Sequence, residues 1–115
     1  MNVEEIREYC VSMPEVTESF PFDEETLVFK AKGKMFLLLS LTDNPVRINV
    51  KCDPEIAVSL RDEYACILPG YHMNKKHWNT IILDGTLGRK LLKEQIDASY
   101  ALVAGAKVKS KSAKK

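Results

Sequence analysis

Residues 69–80 read Pro-Gly-Tyr-His-Met-Asn-Lys-Lys-His-Trp-Asn-Thr and gather most of the side chains in this chain that could do chemistry. Both histidines, the only tryptophan and the Lys75-Lys76 pair lie there. Lysines beside an aromatic ring can meet phosphates while the ring stacks on a base or sugar. The plainer reading leaves the lysines in solvent, and for Lys75 and Lys76 the two readings stand level. Trp78 reads as a core anchor, because a lone tryptophan in a small domain is usually largely buried. His72 and His77 are five apart, with no carboxylate or cysteine at metal-ligand spacing, so no zinc site is expected. Cys66 beside a histidine would imitate a nucleophile pair, but it lies in the apolar run Cys66-Ile67-Leu68, where a buried structural thiol is expected. Tyr71, Asn74 and Asn79 read as turn and hydrogen-bonding residues. Pro69-Gly70 suits the centre of a type II turn, with proline setting the first φ and glycine taking the positive one.

No other stretch assembles a nucleophile, a base and an oxyanion donor, and none is a glycine-rich phosphate loop. The reading is therefore a protein without catalytic residues, metal or cofactor. The 115 residues suffice for one domain with a single core. Hydrophobic residues make up 45% and charged residues 29%, the balance of a globular protein. No apolar run is long enough to span a membrane. The acidic start, with Glu4, Glu5 and Glu8, lacks the pattern of a secretion signal, so the protein is expected in the cytoplasm. Cys10, Cys52 and Cys66 are odd in number and far apart, which fits reduced, buried thiols.

The net charge of +1 hides an asymmetry. Residues 1–25 hold eight acids and one base, residues 26–106 eleven bases and eight acids, and the last nine residues five lysines and no acid. Such a distribution can orient a protein on a polyanion. It is also what ordinary solvated surface looks like.

The elements that must position these side chains follow from pattern. Asn2 can cap a first helix, with Glu5 as its capping-box partner, and Val3, Ile6, Cys10 and Met13 fall on one face. Pro14 ends it. Residues 15–26 read as acidic and irregular, with Phe20 and Phe22 clamping an edge of the core. Residues 27–32 alternate, placing Leu27, Phe29 and Ala31 on one side and Val28, Lys30 and Lys32 on the other. Gly33 turns the chain into 34–41, apolar on both faces and so a central strand. Asp43-Asn44-Pro45 is the next turn. Residues 46–52 put Val46, Ile48, Val50 and Cys52 inward and Arg47, Asn49 and Lys51 outward. The result is an antiparallel meander with one largely polar face, on which Lys30, Lys32, Arg47 and Lys51 would form a positive surface continuous with Lys75, or simply a solvated one. Asp53-Pro54-Glu55 starts a second helix, with Ile56, Leu60 and Tyr64 on its buried side. One or two strands follow, including 79–83. Thr86 would cap a last helix whose apolar stripe is Leu87, Leu91, Leu92, Ile96, Tyr100 and Val103. The tail, 105–115, is basic, low in complexity and expected to be disordered.

Several of these motifs together resemble the MmcQ/YjbR family of small bacterial proteins. They are Ser19-Phe20-Pro21-Phe22-Asp23, Gly33-Lys34-Met35-Phe36, Lys51-Cys52-Asp53-Pro54-Glu55, residues 69–79, Leu83-Asp84-Gly85 and Ser99-Tyr100. The resemblance covers residues 1–104 and leaves the tail outside. It implies an α+β fold, a frataxin-like (CyaY-like) two-layer sandwich with an antiparallel sheet and helices packed on one face. It also implies DNA binding through a paired-wing arrangement of loops and strands. The residues read as the candidate DNA-contacting set are Lys75, Lys76, His77, Lys30, Lys32, Lys34, Arg47 and Lys51. Binding should be weak and largely independent of sequence, because no helix rich in Arg or Asn is present to read base edges. Glu4, Glu5 and Glu8 resemble the acidic first helix that frataxins use for iron, but here they are read as support for the helix dipole. The partner expected is DNA, with no membrane and no small-molecule cofactor, and the protein is expected to be a monomer. The alternative is a protein-interaction module using the same groove without nucleic acid.

Overall fold

A computed structural model of the protein describes residues 1–70 and 73–105. The expectations for Tyr71, for His72 and for the tail beyond Gly105 fall outside those residues. The described chain is α+β, with the order α1 (Val3–Val11), β1 (Val16–Ser19), β2 (Thr26–Ala31), β3 (Lys34–Ser40), β4 (Arg47–Lys51), α2 (Pro54–Glu63), β5 (Ile67–Pro69), β6 (Trp78–Ile82) and α3 (Arg89–Ala104). The six strands form one antiparallel sheet in the order β1-β2-β3-β4-β6-β5.

The local signals act as the residue types require. Asn2 accepts the Glu5 N–H at 2.8 Å while Glu5 accepts the Asn2 N–H at 2.9 Å, so both ends of the capping box are closed. The Asp53 carboxylate accepts the N–H groups of Glu55 and Ile56 ahead of Pro54, satisfying donors that the first turn of α2 leaves free.

Residues of all three helices and of β2 to β6 meet in one core cluster, which includes Ile6, Phe29, Phe36, Leu39, Ile48, Ile81, Leu92 and Ile96. A bulge shapes its centre. Phe29 pairs with Leu37 but Lys30 pairs with Met35, so Phe36 is the extra residue. Phe36 and Leu37 therefore both join this core, although they are consecutive. The Phe36 ring meets Tyr100 edge-on with centroids 5.5 Å apart. The Ser99 hydroxyl donates to the Phe36 carbonyl and accepts the Lys51 N–H, which fastens α3 across the bulge.

Several expectations need correction. Residues 16–19 are a strand, not irregular chain. Only Val16 among them is apolar, so no alternation announces it; pairing along β2 and an ion pair of 2.6 Å between Arg7 and Glu18 hold it. Phe20 and Phe22 do not clamp the core, being 47% and 63% exposed. Ile56 is exposed and Ala57 takes its place beside Leu60 in the core, because the buried side of α2 is rotated by about one residue. Thr86 does not cap α3. It bonds Asp84 through its N–H and hydroxyl, and Gly88 stands at the N-cap without a side-chain bond. The outer face of the sheet is not largely polar, since Val28, Leu38 and Trp78 form a second buried cluster there, flanked by Met35 and Met73.

Candidate nucleic-acid interface

Pairing fixes which side chains share the outer face, because partners across an antiparallel ladder point the same way. Across the middle run Ser19, Val28, Leu38, Asn49, Thr80 and Leu68. Towards one end lie Lys30, Met35, Lys51 and Trp78, with Lys51 directly opposite Trp78. Towards the other lies Arg47, between Ser40 and Ile82.

Two loops leave the sheet at the Lys51–Trp78 end. One is the β2–β3 hairpin. Lys32 and Gly33 both have positive φ, 53° and 82°, the pattern of a two-residue type I′ turn. The other joins β5 to β6 and carries Lys75, Lys76 and His77. Met35 beside the first loop and Met73 within the second pack on the same Val28–Leu38–Trp78 cluster. Lys51 lies between the loops on β4. Lys34 departs from the set: it pairs with Ala31, whose side chain is in the main core, so it leaves the hairpin on the core side of the sheet. Arg47 stands at the opposite end of its strand.

The second loop is tied down by its own backbone. Gly70 donates to the Trp78 carbonyl at 2.8 Å, His77 to the Asn74 carbonyl at 3.1 Å, and Cys52 to the His77 carbonyl at 2.7 Å. Asn74 Oδ1 accepts the Lys76 N–H at 2.9 Å. The guanidinium of Arg61 reaches over from α2. It donates to Asn79 Oδ1 at 2.7 Å, to the Trp78 carbonyl at 3.2 Å and to the Lys75 carbonyl. Lys75 and Lys76 are exposed, with their backbone held and their ammonium groups in water. Gly70 does not supply the positive φ of a type II turn. A Cβ there would stand 2.7 Å from Trp78 Cβ, so glycine is needed for close approach of two chain segments.

Between Arg47 and Met73 the outer face opens into a hollow of about 850 Å³, with Leu38, Met35 and Met73 as its apolar part and Arg47, Asn49 and Thr80 among its polar groups. A smaller hollow of about 300 Å³ is lined by Arg47, Thr80 and Lys75. The three thiols are buried. Burial pushes Cys10 up to about 12 and raises Cys52 as well, which keeps both protonated and unreactive near neutrality. Among the described residues no three of His, Cys, Asp and Glu come together as a metal site. No described helix is long and apolar enough to cross a membrane.

Sequence reasoning named Lys30, Lys32, Lys51, Lys75, Lys76 and His77, and these cluster at one end of the sheet. It did not find Arg61, the residue that fixes the loop. A signal was present: Asn79 lies in a strand, where asparagine is depleted, and a buried amide needs a partner. Nor did it find the hollow, because the packing of Met73 on the outer face is a long-range contact that alternation does not show.

The YjbR family model matches residues 11–102. The chain is 31% identical over 100 residues to the uncharacterised protein YjbR of Escherichia coli K12, covering 87% of this chain and 85% of that one. It is 37% identical over 100 residues to the uncharacterised protein YbdF of Escherichia coli O157:H7, covering 87% and 82%. Among solved structures it is similar to a Deinococcus radiodurans protein at a TM-score of 0.85 and 43% identity, covering 96% of this chain and 82% of that one. It is also similar to a Pseudomonas syringae protein at a TM-score of 0.78 and 29% identity, covering 90% and 99%.

Proposed function

This chain belongs to the YjbR family, and from that premise we propose that it is a non-enzymatic DNA-binding protein that grips phosphates at the lysine-bearing end of its sheet. The observation that carries the reading is the common exit of two basic loops. The hairpin brings Lys30 and Lys32, the Arg61-braced loop brings Lys75 and Lys76, and Lys51 stands between them. Strands lie about 4.8 Å apart, so β3 and β6, the near strands of the two loops, stand roughly 10 Å apart with β4 between them. Phosphate contacts position a protein without reading bases, which fits binding with little sequence preference. The same family premise supports the finer reading of the fold as a CyaY-like two-layer sandwich. Its structural support is that residues of all three helices share one core cluster with the sheet.

The test is salt dependence. Each duplex phosphate neutralised contributes about −0.9 to the slope of log affinity against log salt, so Lys75→Ala with Lys76→Ala should flatten the slope by about 1.8. Both side chains are exposed, and the melting temperature of the double variant should match wild type. Deleting residues 107–115 should weaken binding to unrelated duplexes alike. Absence of salt-dependent binding at low ionic strength would overturn the reading. If only the tail deletion abolishes binding, the loop lysines have no part in it.

A further inference from the structure

The outer-face hollow has a composition that phosphate gripping does not use. The half-buried Met35 and Met73, above the buried Leu38, offer an adaptable apolar surface, and thioethers sit well against aromatic rings. Asn49 adds a side-chain amide, whose Oδ1 accepts the hydroxyl of the buried Thr80 at 2.5 Å and whose N–H groups remain for a ligand. Arg47 lines the hollow and makes no hydrogen bond or ion pair among the described residues. The volume of about 850 Å³ falls within the range of small-ligand sites.

We propose that this hollow takes one unstacked nucleobase, with Arg47 meeting the phosphate attached to it. This narrows the nucleic-acid reading on which it rests: the preferred ligand becomes single-stranded. Three features select a base over other amphipathic anions. An alkyl chain would leave the Asn49 side-chain N–H groups facing methylenes, whereas the edge of a base can accept from them. A ring also has faces for Leu38 and the two methionines to cover. Finally, Arg47 and Thr80 line both the large hollow and the small one beside Lys75. A strand can thus run its phosphates from Lys75 to Arg47 while a base turns into the hollow. A duplex keeps its bases stacked inside and gains only the phosphate contacts. Asp23 and Asp43 also line the hollow. Asp23 is engaged by the N–H groups of Glu25 and Thr26. The Asp43 carboxylate offers an acceptor that suits an amino-bearing base such as cytosine.

The experiment compares one short DNA strand of mixed sequence, the duplex of that sequence, and deoxycytidine monophosphate alone. Anisotropy reads the first two at low salt, and amide chemical shifts of the labelled full-length protein read the third. The single strand should bind about tenfold or more tighter than the duplex. The nucleotide should shift the Arg47, Asn49 and Thr80 amides. Ser40→Leu, which fills the hollow, should bring single-strand affinity down to the duplex level and leave duplex binding unchanged. Should that variant fail to fold, Met73→Ala should weaken the single strand selectively. Arg47→Gln should weaken the single strand and abolish the nucleotide shifts. Equal binding of strand and duplex, with no nucleotide shifts, overturns the base site while leaving phosphate gripping intact. Nucleotide shifts at the hollow with no binding of either DNA retain the site and overturn the DNA reading. Silence in all three arms overturns both.

Discussion

Arg61, in the last turn of α2, donates to the side-chain oxygen of Asn79 at 2.7 Å, and Asn79 is 1% exposed. The same guanidinium serves the carbonyls of Lys75 and Trp78. One cation therefore satisfies a buried amide and fixes the backbone that presents Lys75. Arg61→Met keeps the length of the side chain and removes the donors. It should lower stability by roughly 1–3 kcal/mol, since it strands a buried acceptor. Hydrogen exchange at Gly70 and His77 should quicken in the variant. An unchanged denaturation midpoint would show that water replaces the guanidinium without loss.

Ser99 presents a second case of one side chain serving two backbone groups. It is fully buried, accepts the Lys51 N–H at 2.8 Å and donates to the Phe36 carbonyl. The bulge at Phe36 breaks the ladder at this point and the hydroxyl fills the break. Ser99→Ala should cost about 1–3 kcal/mol, because two buried backbone groups lose their partner. Urea denaturation measures it, and a variant as stable as wild type would mean that the bulge closes on itself.

These two residues show where sequence reading reached and where it stopped. Caps were legible at Asn2 and Asp53, because the partner lies two or three residues away. The meander was legible from Leu27 to Lys51, because alternation is a local signal. The partners of Arg61 and Ser99 are 14 to 18 and 48 to 63 residues distant, and no spacing rule reaches that far. Phe20 and Phe22 were misread for the same reason: an aromatic pair around proline states hydrophobicity but not which side of the chain meets the core. Of the candidate site, the lysines were legible by type, whereas their common exit depends on strand order, and the turning of Lys34 to the core side depends on hairpin register.

Trp78 is 8% exposed and packs with Val28 and Leu38 on the outer face. Its emission should be shifted to the blue of fully hydrated tryptophan. Trp78→Ala should cost on the order of 3–5 kcal/mol, because the loop above cannot collapse into the space while Gly70 and Arg61 hold it. An unshifted melting temperature would make the ring a stacking surface instead of an anchor.

Stability should fall at both ends of the pH scale, for different reasons. Glu5, Asp23 and Asp84 are held below the ordinary carboxylate range, chiefly by the Asn2 N–H, the Glu25 N–H and the Thr86 hydroxyl respectively. A lowered folded value means that the unfolded chain binds protons first. The stabilisation is present above the ordinary value of about 4 and is lost as pH falls through the lowered values. Cys10 has the opposite sign. Burial raises it from 9.0 to about 12, so stability is complete below about 9 and declines as pH rises towards 12. Denaturation midpoints across pH should show both limbs. Glu5→Gln should soften the acid limb and Cys10→Ser the alkaline one. Limbs unmoved by these changes would assign the slopes to other groups.

The hairpin lysine at position 32 allows charge to be removed without harm to the fold. Its φ of 53° lies in the left-handed region, where a lysine side chain is strained and asparagine is favoured before glycine in a type I′ turn. Lys32→Asn should therefore hold or raise the melting temperature. If Lys32 meets a phosphate, the salt slope on duplex DNA should flatten by about 0.9. Lys34→Asn removes the same charge two residues away, from a side chain that leaves on the core side, and should leave the slope as in wild type. Combining Lys32→Asn with the Lys75 and Lys76 changes should flatten the slope by about 2.7, since contacts at separate loops add. Equal effects of Lys32→Asn and Lys34→Asn would mean that DNA senses net charge alone, and the two-loop grip would fall.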